Sequence, residues 1–470
     1  MRNFKMQIRL NSQNLAVTVA GVASSLLLMP SCMADREQQR PNIILFMADD
    51  LGYGDLACYN KDGLPTPAIE SIANQGVRFT SFYSNGPESS PTRTALLTGR
   101  YQQRVGGLEC AIGSGNVGRY DDAIRLRETN DLGLPVSEIS VARMLKNAGY
   151  NTAICGKWHL GYEEKFNPNL HGFDYAFYEL AGGMDYFHHK DTGDPRHLLY
   201  FNGKPVNNTV YFTDLIGEES IKFLNDQTRK KPFFLYVPFT APHAPYQGPE
   251  DYLPGLLPAD SPLWNQSKGP KHIYQAMIGH MDETIGKVLK KLEEKGMTGN
   301  TIVIFMSDNG GTASGNNSPL RGNKGNMFEG GIRVPCAVKW PGRISPATVS
   351  QQPCMTFDFS ASIIRVALAS IPENRAFDGI DILKLIEEDR KVEDRTLYWR
   401  ARRGMQTRKA VRQGDLKYIW LSDEGKVDEY LFDLGNDLTE KTNLLDSLPD
   451  IAAQLKNLLN AWEEEVKPVR

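Results

Sequence analysis

Residues 42–50 read NIILFMADD, an unbroken apolar run that ends in two aspartates. A continuous apolar run of this length predicts a β-strand that is buried on both faces. Similar runs occur at residues 151–155, 232–239 and 301–306, and stretches with helical periodicity lie between them. This alternation predicts an α/β fold in which helices cover both faces of a parallel sheet.

Helix boundary signals flank the periodic stretches. Residues 66–76 read TPAIESIANQG, which combines a capping Thr66, Pro67 at the first helical position and Gly76 as the stop. A much longer periodic stretch ends in Gly296. These signals predict a short helix after the first strand and a long helix before the strand at residue 301.

The pattern changes near residue 375. Beyond it, polar and apolar residues alternate in short segments joined by turns, which is typical of an antiparallel sheet. Residues 449–466 follow with the periodicity of an amphipathic helix. We therefore expect a large domain at residues 38–375 and a smaller α+β subdomain at residues 376–470.

The composition indicates a soluble globular protein. The chain has 470 residues, of which 41% are hydrophobic, and its 53 basic residues nearly balance its 56 acidic ones. Nucleic-acid binding would need a concentrated basic face, so we expect no nucleic-acid partner. The cysteines after Cys32 are odd in number and widely scattered, which argues against a disulfide framework and predicts buried thiols.

The N-terminus has the features of a signal peptide at residues 1–32. Arg2, Lys5 and Arg9 precede an apolar stretch that is too short for a confident membrane span. The stretch ends in a small residue before Cys32, as in a bacterial lipoprotein cleavage site, and the alternative is ordinary cleavage near Ala34. Either way we expect an exported protein, in the periplasm or as an outer-membrane lipoprotein, whose only membrane link is a lipid anchor at Cys32.

Charged and polar side chains recur where the predicted strands end. In an open α/β sheet, ligands bind at the carboxyl ends of the strands. A single such residue is more often a turn, a cap or a solvated side chain than part of a site, so the recurrence carries the argument. The residues concerned are Asp49, Asp50, Lys157, His159, His243, Asp308 and Asn309, with Lys324 in a later glycine-rich loop.

These residue types form a coherent chemical set if they converge. Three carboxylates and an amide oxygen suit Ca²⁺ or Mg²⁺ better than zinc. Lysine and arginine side chains would clamp a tetrahedral anion, and histidines could transfer protons. A serine at a helix N-terminus would supply the nucleophile, where helix dipole and free N–H groups favour an anion. The set describes a metal-dependent hydrolase of sulfate or phosphate esters.

Residues 88–100, ESSPTRTALLTGR, carry the most specific motif. Ser89, Pro91 and Arg93, followed by Thr98-Gly99, resemble the signature of the sulfatase family within the alkaline phosphatase superfamily. Other matches follow in family order over essentially the whole mature chain. They are ADDLGYGD (48–55), GKWHLG (156–161), APHAP (241–245), SDNGG (307–311), LRGNKG (320–325), EGGIRVP (329–335) and DEYLFDLGNDLTEKTNL (428–444).

The resemblance implies an alkaline-phosphatase-like catalytic domain at residues 38–375, in which helices sandwich a large, mostly parallel mixed sheet. It also assigns roles within this domain. Ser89 would be oxidised to formylglycine, whose hydrated form attacks sulfur with one hydroxyl and expels sulfate with the other. One Ca²⁺ would bind Asp49, Asp50, Asp308, Asn309 and an oxygen of residue 89. Among the other implied catalytic residues, Arg93 would orient the modified Ser89, and Lys157 and Lys324 would stabilise charge on the sulfate group. His243 would protonate or stabilise the leaving alcohol, and His159 would accept a proton from the second hydroxyl.

The resemblance also implies partners. Serine at the modified position implies a radical, oxygen-independent maturase of a bacterium. We expect a sulfated saccharide as the substrate, contacted by Asp185, His188 and His189 in the polar segment at residues 182–197 and by Arg321. The alternative interpretation of this segment is a solvated loop. Gly182 and Gly183 stand where some relatives carry a polar residue that contacts sulfate.

Two other functions compete with a sulfatase. A phosphate or phosphonate ester hydrolase of the same superfamily would prefer phosphoryl substrates. A non-catalytic surface protein would bind sulfated glycans without turnover, but it would have no need of the full catalytic set. Assays on sulfate and phosphate esters separate these hypotheses.

Overall fold

The computed structural model describes residues 40–113, 120–192, 194, 196–390 and 395–468. The expected signal peptide and Cys32 lie outside the described residues. In the part that is described, no helix is long and apolar enough to cross a membrane. From Arg40 onward, the chain forms one unit.

The strands follow the alternation predicted from the apolar runs. In chain order they are β1 (Asn42–Ala48), β2 (Val77–Phe79), β3 (Phe82–Tyr83), β4 (Asn151–Lys157), β5 (Tyr175–Glu179), β6 (Leu199–Phe201), β7 (Lys204–Pro205), β8 (Phe233–Pro238), β9 (Thr301–Ser307), β10 (Cys336–Lys339), β11 (Thr348–Ser350), β12 (Cys354–Met355), β13 (Thr396–Arg403), β14 (Gln406–Gln413), β15 (Leu416–Asp423) and β16 (Lys426–Asp433).

The α-helices lie between these strands and at the end of the chain. They are α1 (Pro67–Asn74), α2 (Ser89–Thr98), α3 (Asp121–Glu128), α4 (Val141–Asn147), α5 (Phe212–Asn225), α6 (Lys271–Glu294), α7 (Glu329–Ile332), α8 (Asp358–Val366), α9 (Ile382–Glu387) and α10 (Pro449–Glu465). Short 3₁₀ turns occur in several of the connecting loops.

Among the described residues, the central sheet has ten strands in the order β11-β2-β10-β9-β1-β8-β4-β5-β6-β7. Its middle five strands, β9 to β5 in that order, are all parallel, whereas β10 and β6 join antiparallel to them. Both neighbours of β1 are parallel, with Leu45 opposite Tyr236 on one side and Ile304 on the other. The expected fold class, a mostly parallel mixed sheet, is confirmed.

Strand β1 shows why its sequence is continuously apolar. Ile43 and Leu45 belong to one hydrophobic core, and Ile44 and Phe46 belong to a second core on the other face. Helices α4 and α8 contribute to the first core, and α5 and α6 to the second. Because successive residues of a strand point to opposite faces, only an unbroken apolar run can fill both cores.

The start of α1 differs from the expected cap. Pro67 is the first helical residue, as expected, but the Thr66 side chain makes no capping hydrogen bond. Instead, Asp282 on α6 accepts the backbone N–H groups of Ala68 and Ile69 at 3.1 and 2.8 Å. A carboxylate at a helix N-terminus satisfies free N–H groups and complements the helix dipole. The long helix ends as expected, with Gly296 in the left-handed region at a φ of 62°.

The C-terminal strands form a separate antiparallel sheet in the order β13-β14-β15-β16, as expected. Its core, with Trp399 and Trp462, also includes Tyr83 and Phe357 from the larger domain. The five described cysteines are free thiols, and all except Cys58 are buried.

A buried ion cluster joins the C-terminal sheet to the preceding part of the chain. The Lys417 Nζ atom on β15 lies 2.7 Å from Glu329 Oε1 on α7 and 2.9 Å from Glu440 Oε1. All three side chains are fully buried. Glu329 also accepts a hydrogen bond of 2.6 Å from the Tyr83 hydroxyl. Two carboxylates therefore share one ammonium group where the C-terminal sheet packs against α7.

Candidate active site

The parallel strands bring the predicted polar residues to one edge of the sheet. Asp49 and Asp50 directly follow β1, and Asp308 and Asn309 directly follow the adjacent strand β9; all four are buried. The two strand ends are joined, because the Asp50 N–H group donates to Asp308 Oδ1 at 3.3 Å and Asn309 Nδ2 donates to Asp50 Oδ1 at 2.8 Å. The strand ends thus create a buried cluster of oxygen atoms.

Helix α2 delivers its first residue to this cluster. The Ser89 hydroxyl donates to Asp49 Oδ1 at 3.1 Å. Ser90 has a different role, since its hydroxyl donates to the His159 carbonyl at 3.0 Å and accepts the Ile112 N–H group at 3.1 Å. Glu88 precedes the helix without capping it. Ser89 therefore faces the carboxylates, while Ser90 anchors neighbouring loops.

Arg93 lies one turn into α2 and is fully buried. Its Nη2 atom lies 2.8 Å from Asp308 Oδ2 and 3.4 Å from Asp49 Oδ2. The guanidinium group thus bridges the carboxylates that follow β1 and β9. Its link to Ser89 passes through Asp49, which accepts hydrogen bonds from both residues.

Two lysines approach the carboxylates from different elements. Lys157, the last residue of β4, donates to Asp49 Oδ2 and to the Gly182 carbonyl oxygen. Lys324 lies in the loop before α7, and its Nζ atom is 2.8 Å from Asp50 Oδ1. Their ammonium groups put positive charge beside Asp50 and beside Asp49, the residue that Ser89 contacts.

The two histidines are buried and differ in their partners. His159 Nε2 lies 2.6 Å from the Ile112 carbonyl oxygen, and its Nδ1 atom has no hydrogen-bond partner among the described residues. His243 Nδ1 lies 2.6 Å from the Ala244 carbonyl oxygen, and its Nε2 atom is 3.8 Å from Asp50 Oδ2. A carbonyl oxygen can only accept a hydrogen bond, so each neutral imidazole carries its proton on the nitrogen that contacts the carbonyl. The other ring nitrogen is unprotonated and can accept a proton.

The electrostatics of the cluster reflect burial and crowding. Burial and then the nearby lysines lower the pKa of His159 and of His243 well below its ordinary value, so both are neutral at pH 7. Burial, followed by the charge of Asp49, raises the pKa of Asp308 to about 6. Burial also raises the pKa of Asp50. Asp49 is the exception, because the positive charges of Lys157, Arg93 and Lys324 together lower its pKa despite its burial.

The donor set fits a hard divalent cation. Asp49, Asp50 and His243 can place one ligand atom each within 4.8 Å of one another. The Asn309 Oδ1 atom is buried, and within the described ranges it has no hydrogen-bond partner. A buried, unpartnered carbonyl oxygen beside crowded carboxylates is the arrangement that a cation would satisfy.

Two glycines after β5 fit against the histidines. A Cβ atom on Gly182 would lie 2.9 Å from His159 Nε2, and one on Gly183 would lie 2.6 Å from the Ala244 carbonyl oxygen and 3.0 Å from His243 Nδ1. Any side chain there would displace an imidazole or the backbone. The sequence showed a Gly-Gly pair after a strand, but only the structure shows what the glycines accommodate.

The structure adds Glu179, which the sequence did not single out. This last residue of β5 is buried, its carboxylate accepts a hydrogen bond from the Thr240 hydroxyl, and it lies opposite Lys157 in the parallel register. Burial raises its pKa to about 7. A lone glutamate at the end of an apolar strand gave no signal of this position.

The expected substrate contacts lie in a loop beside His243. Asp185 is buried, and its Oδ1 atom accepts the N–H groups of Phe187 and His188 at 2.8 Å each. His188 Nε2 lies 2.9 Å from the Leu253 carbonyl oxygen. The Tyr186 hydroxyl donates to the His243 carbonyl at 2.9 Å, which places the loop beside the buried polar cluster. Asp185 thus shapes this loop from within.

Two other expected contacts face different surroundings. His189 is buried, with Nε2 3.1 Å from the Val210 carbonyl oxygen. The Arg321 guanidinium stacks 3.9 Å from the centre of the Phe328 ring and donates to the Glu440 carbonyl at 2.7 Å. Arg321 therefore contacts the C-terminal subdomain.

Comparisons with known proteins agree with this site. The family model described as Sulfatase matches residues 41–369, and the model described as N-sulphoglucosamine sulphohydrolase, C-terminal, matches residues 322–465. The N-acetylgalactosamine-6-sulfatase of Rattus norvegicus is 31% identical over 402 residues, which cover 81% of this chain and 72% of the relative. A sulfatase of Formosa agariphila is 30% identical, and the match covers 95% of this chain and 93% of the relative.

Solved structures extend the similarity to the fold. The structure of Ps i-CgsB in complex with k-i-k-neocarrahexaose has a TM-score of 0.78 and 29% identity, and the match covers 92% of this chain and 94% of that chain. The similarity thus includes both the large domain and the C-terminal sheet, in agreement with the expected alkaline-phosphatase-like fold. This chain belongs to the sulfatase family and is a sulfuric ester hydrolase.

Proposed function

We propose that this sulfatase removes sulfate from a glycan, with a formylglycine made from Ser89 and one Ca²⁺ ion. The position of the Ser89 hydroxyl carries the proposal, because it contacts Asp49 at 3.1 Å at the edge where the strand-end carboxylates meet. A serine that only capped a helix would have no reason to face a buried carboxylate cluster.

The strand-end residues would hold the cation. Asp49, Asp50, Asp308 and the Oδ1 atom of Asn309 would bind Ca²⁺ together with an oxygen of residue 89. Such an all-oxygen set suits Ca²⁺ better than zinc. Bound there, Ca²⁺ would polarise the sulfate group and favour ionisation of the attacking hydroxyl.

The modification would supply what serine lacks. Hydrated formylglycine offers two hydroxyl groups on one carbon, one to attack sulfur and one to release sulfate afterwards. Serine has only the first. Arg93 would keep this residue in place through Asp49, to which both side chains are hydrogen-bonded.

The cationic side chains would bind the sulfate group. Lys157 and Lys324 already lie beside Asp49 and Asp50, and each can turn an N–H group toward a sulfate oxygen. Charge-assisted contacts in a buried site strengthen as negative charge develops on the transferring group. These lysines therefore favour the transition state.

The histidines would move protons at the nitrogens that the structure leaves free. His159 would accept a proton at Nδ1, since Nε2 faces the Ile112 carbonyl. His243 would serve the leaving oxygen at Nε2, since Nδ1 faces the Ala244 carbonyl. A bound sulfate ester adds negative charge near His243, which favours the protonated form that this role needs.

Similarity supports a sulfated saccharide as the substrate. The structure of Ps i-CgsB contains an oligosaccharide, and the relative from Rattus norvegicus is named for an amino-sugar sulfate. We propose that the loop at residues 184–190 lines the sugar site, with Asp185 and His189 shaping the loop and the half-buried His188 nearest to the saccharide. Arg321 stacks on Phe328, so we propose that it influences the saccharide indirectly rather than by direct contact.

We also propose export and a dedicated maturation step. Arg2, Lys5, Arg9 and Cys32 support export to the bacterial cell envelope, with a lipid anchor at Cys32. A serine at position 89 supports a radical-type maturase as the partner.

The test combines chemistry at Ser89 with turnover. Protein produced with a radical-type maturase is examined by mass spectrometry for an aldehyde at residue 89 and assayed on a panel of sulfated saccharides beside 4-nitrophenyl phosphate. We expect the aldehyde and sulfate release, and neither in an S89A control. An unmodified Ser89 in fully active enzyme, or faster hydrolysis of the phosphate ester than of every sulfate ester, would contradict the proposal.

A further inference from the structure

We propose that Arg408, on β14 of the C-terminal subdomain, is a positioning residue that sets the spacing between residue 89 and Lys324. The inference rests on the proposed roles of Ser89 and Lys324. It adds to the active site a residue from the C-terminal sheet, which supplies none of the strand-end residues.

The geometry places one guanidinium between the two loops. The Arg408 Nη1 atom donates to the carbonyl oxygen of Gly325, the residue directly after Lys324. The Nη2 atom lies 3.8 Å from Oε1 of Glu88, the residue directly before Ser89. The Arg408 side chain is 17% exposed, so most of it is shielded from solvent.

The two loops also touch each other at this point. The Gly325 N–H group donates to the Pro87 carbonyl at 2.9 Å. Gly325 has a φ of +87°, a left-handed conformation that suits glycine and lets its carbonyl face Arg408. The backbone hydrogen bond from Gly325 to Pro87 and the Arg408 side chain thus both join the segment before Ser89 to the segment after Lys324.

A second arginine, Arg403, also pairs with Glu88. Arg403 Nη2 on β13 lies 2.5 Å from Glu88 Oε2, and the same oxygen accepts the Ala111 N–H group at 2.7 Å. Although burial opposes ionisation, Arg403 lowers the pKa of Glu88, which is therefore charged at pH 7. Glu88 is a fixed anionic anchor, and Arg408 extends from that anchor to the Lys324 loop.

The spacing matters because Ser89 and Lys324 meet adjacent aspartates. The Ser89 hydroxyl lies 3.1 Å from Asp49, and the Lys324 ammonium lies 2.8 Å from Asp50. Sulfur must lie between the nucleophile and the lysine, so a shift of the Lys324 loop changes both binding and attack. Displacement of a catalytic group by about 1 Å can cost up to about a hundredfold in rate.

The matched pair of variants is R408M and R402M. Methionine keeps an apolar stem but removes the N–H groups, so each variant tests hydrogen bonding and charge rather than packing. Arg402 lies on the neighbouring strand β13, pairs with Glu109 at 2.7 Å and covers the Tyr120 ring at 4.5 Å. The R402M variant therefore loses a comparable ion pair of the C-terminal sheet, but it leaves the contacts of the segments next to Ser89 and Lys324 intact.

The first readout needs no maturation or turnover. Hydrogen exchange of unmodified protein, followed by mass spectrometry of peptides spanning residues 322–328, reports on the Gly325 N–H group. We expect R408M to exchange about tenfold faster there than wild type, and R402M to match wild type, because only R408M frees the Lys324 loop.

The second readout is turnover of 4-methylumbelliferyl sulfate by matured protein. We expect kcat of R408M to fall about tenfold or more at equal formylglycine content, while R402M stays within about twofold of wild type. Unchanged exchange in R408M, or faster exchange with unchanged kcat, would overturn the positioning role. If wild type releases sulfate from no ester, the proposed function fails, and the exchange comparison alone decides whether Arg408 spaces the loops.

Discussion

Arg93 and Asp308 form a fully buried ion pair in which two guanidinium nitrogens contact one carboxylate oxygen, at 2.8 and 3.2 Å. Removing one partner of such a pair leaves an uncompensated buried charge. We therefore expect R93A to lower the free energy of unfolding by about 3–5 kcal/mol, measured by urea denaturation. The double variant R93A/D308N should recover part of that loss, and strictly additive losses would contradict the pairing.

Ser89 should be dispensable for folding but not for catalysis. S89A removes one hydrogen bond to Asp49, so we expect the free energy of unfolding to fall by only about 1 kcal/mol. Sulfate release should fall to background, because alanine cannot be converted to an aldehyde. S90A is the comparison: its hydroxyl joins two loops, so we expect lower stability with residual turnover, and equal activity in both variants would contradict these roles.

Gly182 should be irreplaceable because of its distance to His159. In G182A the new methyl group would meet the imidazole at 2.9 Å and push it from the position next to Ile112. We expect kcat to fall about ten- to a hundredfold, measured with matured enzyme.

Gly279 on α6 provides the matched control, since a Cβ atom there would meet no described residue within 4 Å outside its own stretch of helix. G279A should raise the free energy of unfolding by about 0.5–1 kcal/mol and leave activity unchanged. A G182A enzyme with full activity would show that His159 can shift without consequence.

Ca²⁺ should stabilise the protein as well as activate it. We expect a chelator to lower the melting temperature and Ca²⁺ to restore it, with about 2.7 kcal/mol gained at a hundredfold excess over Kd. N309A removes the unpartnered buried oxygen and should abolish the Ca²⁺-dependent shift in melting temperature. A shift of the same size in N309A would exclude Asn309 from the site.

Asp282 should make stability depend on pH. Burial raises its pKa from 3.8 to about 6 despite the two N–H groups that it accepts. The folded protein thus holds this proton more tightly than the unfolded chain, so the contribution is complete below pH 3.8 and is lost as pH rises through about 6. Relative to D282N, wild type should lose free energy of unfolding across that window, and parallel pH profiles of the two proteins would contradict the shift.

The sequence predicted those parts of the molecule that depend on local pattern. Continuous apolar runs specified the buried parallel strands, and the carboxyl ends of parallel strands share an edge, so Asp49 and Asp308 could be expected to meet. The motif at residues 88–100 then singled out Ser89.

Other features depend on partners that are distant in the sequence. The cap of α1 comes from Asp282 rather than Thr66, and no periodicity near residue 66 reveals an acceptor on α6. Asp185 looks like a substrate contact in a polar segment, yet the backbone N–H groups around it occupy its carboxylate. The need for glycine at position 182 follows from the position of the His159 imidazole, which only the three-dimensional structure shows.

The buried cluster of Lys417, Glu329 and Glu440 determines where the protein can be truncated. If the chain stopped near residue 375, Glu329 would lose its ammonium partner, and the apolar surface around Tyr83 would face water. A fragment of this kind should be insoluble, although it would contain every strand-end residue of the site. Chimeras between relatives should therefore exchange both domains together, or carry Glu329, Lys417 and Glu440 as a single inherited unit.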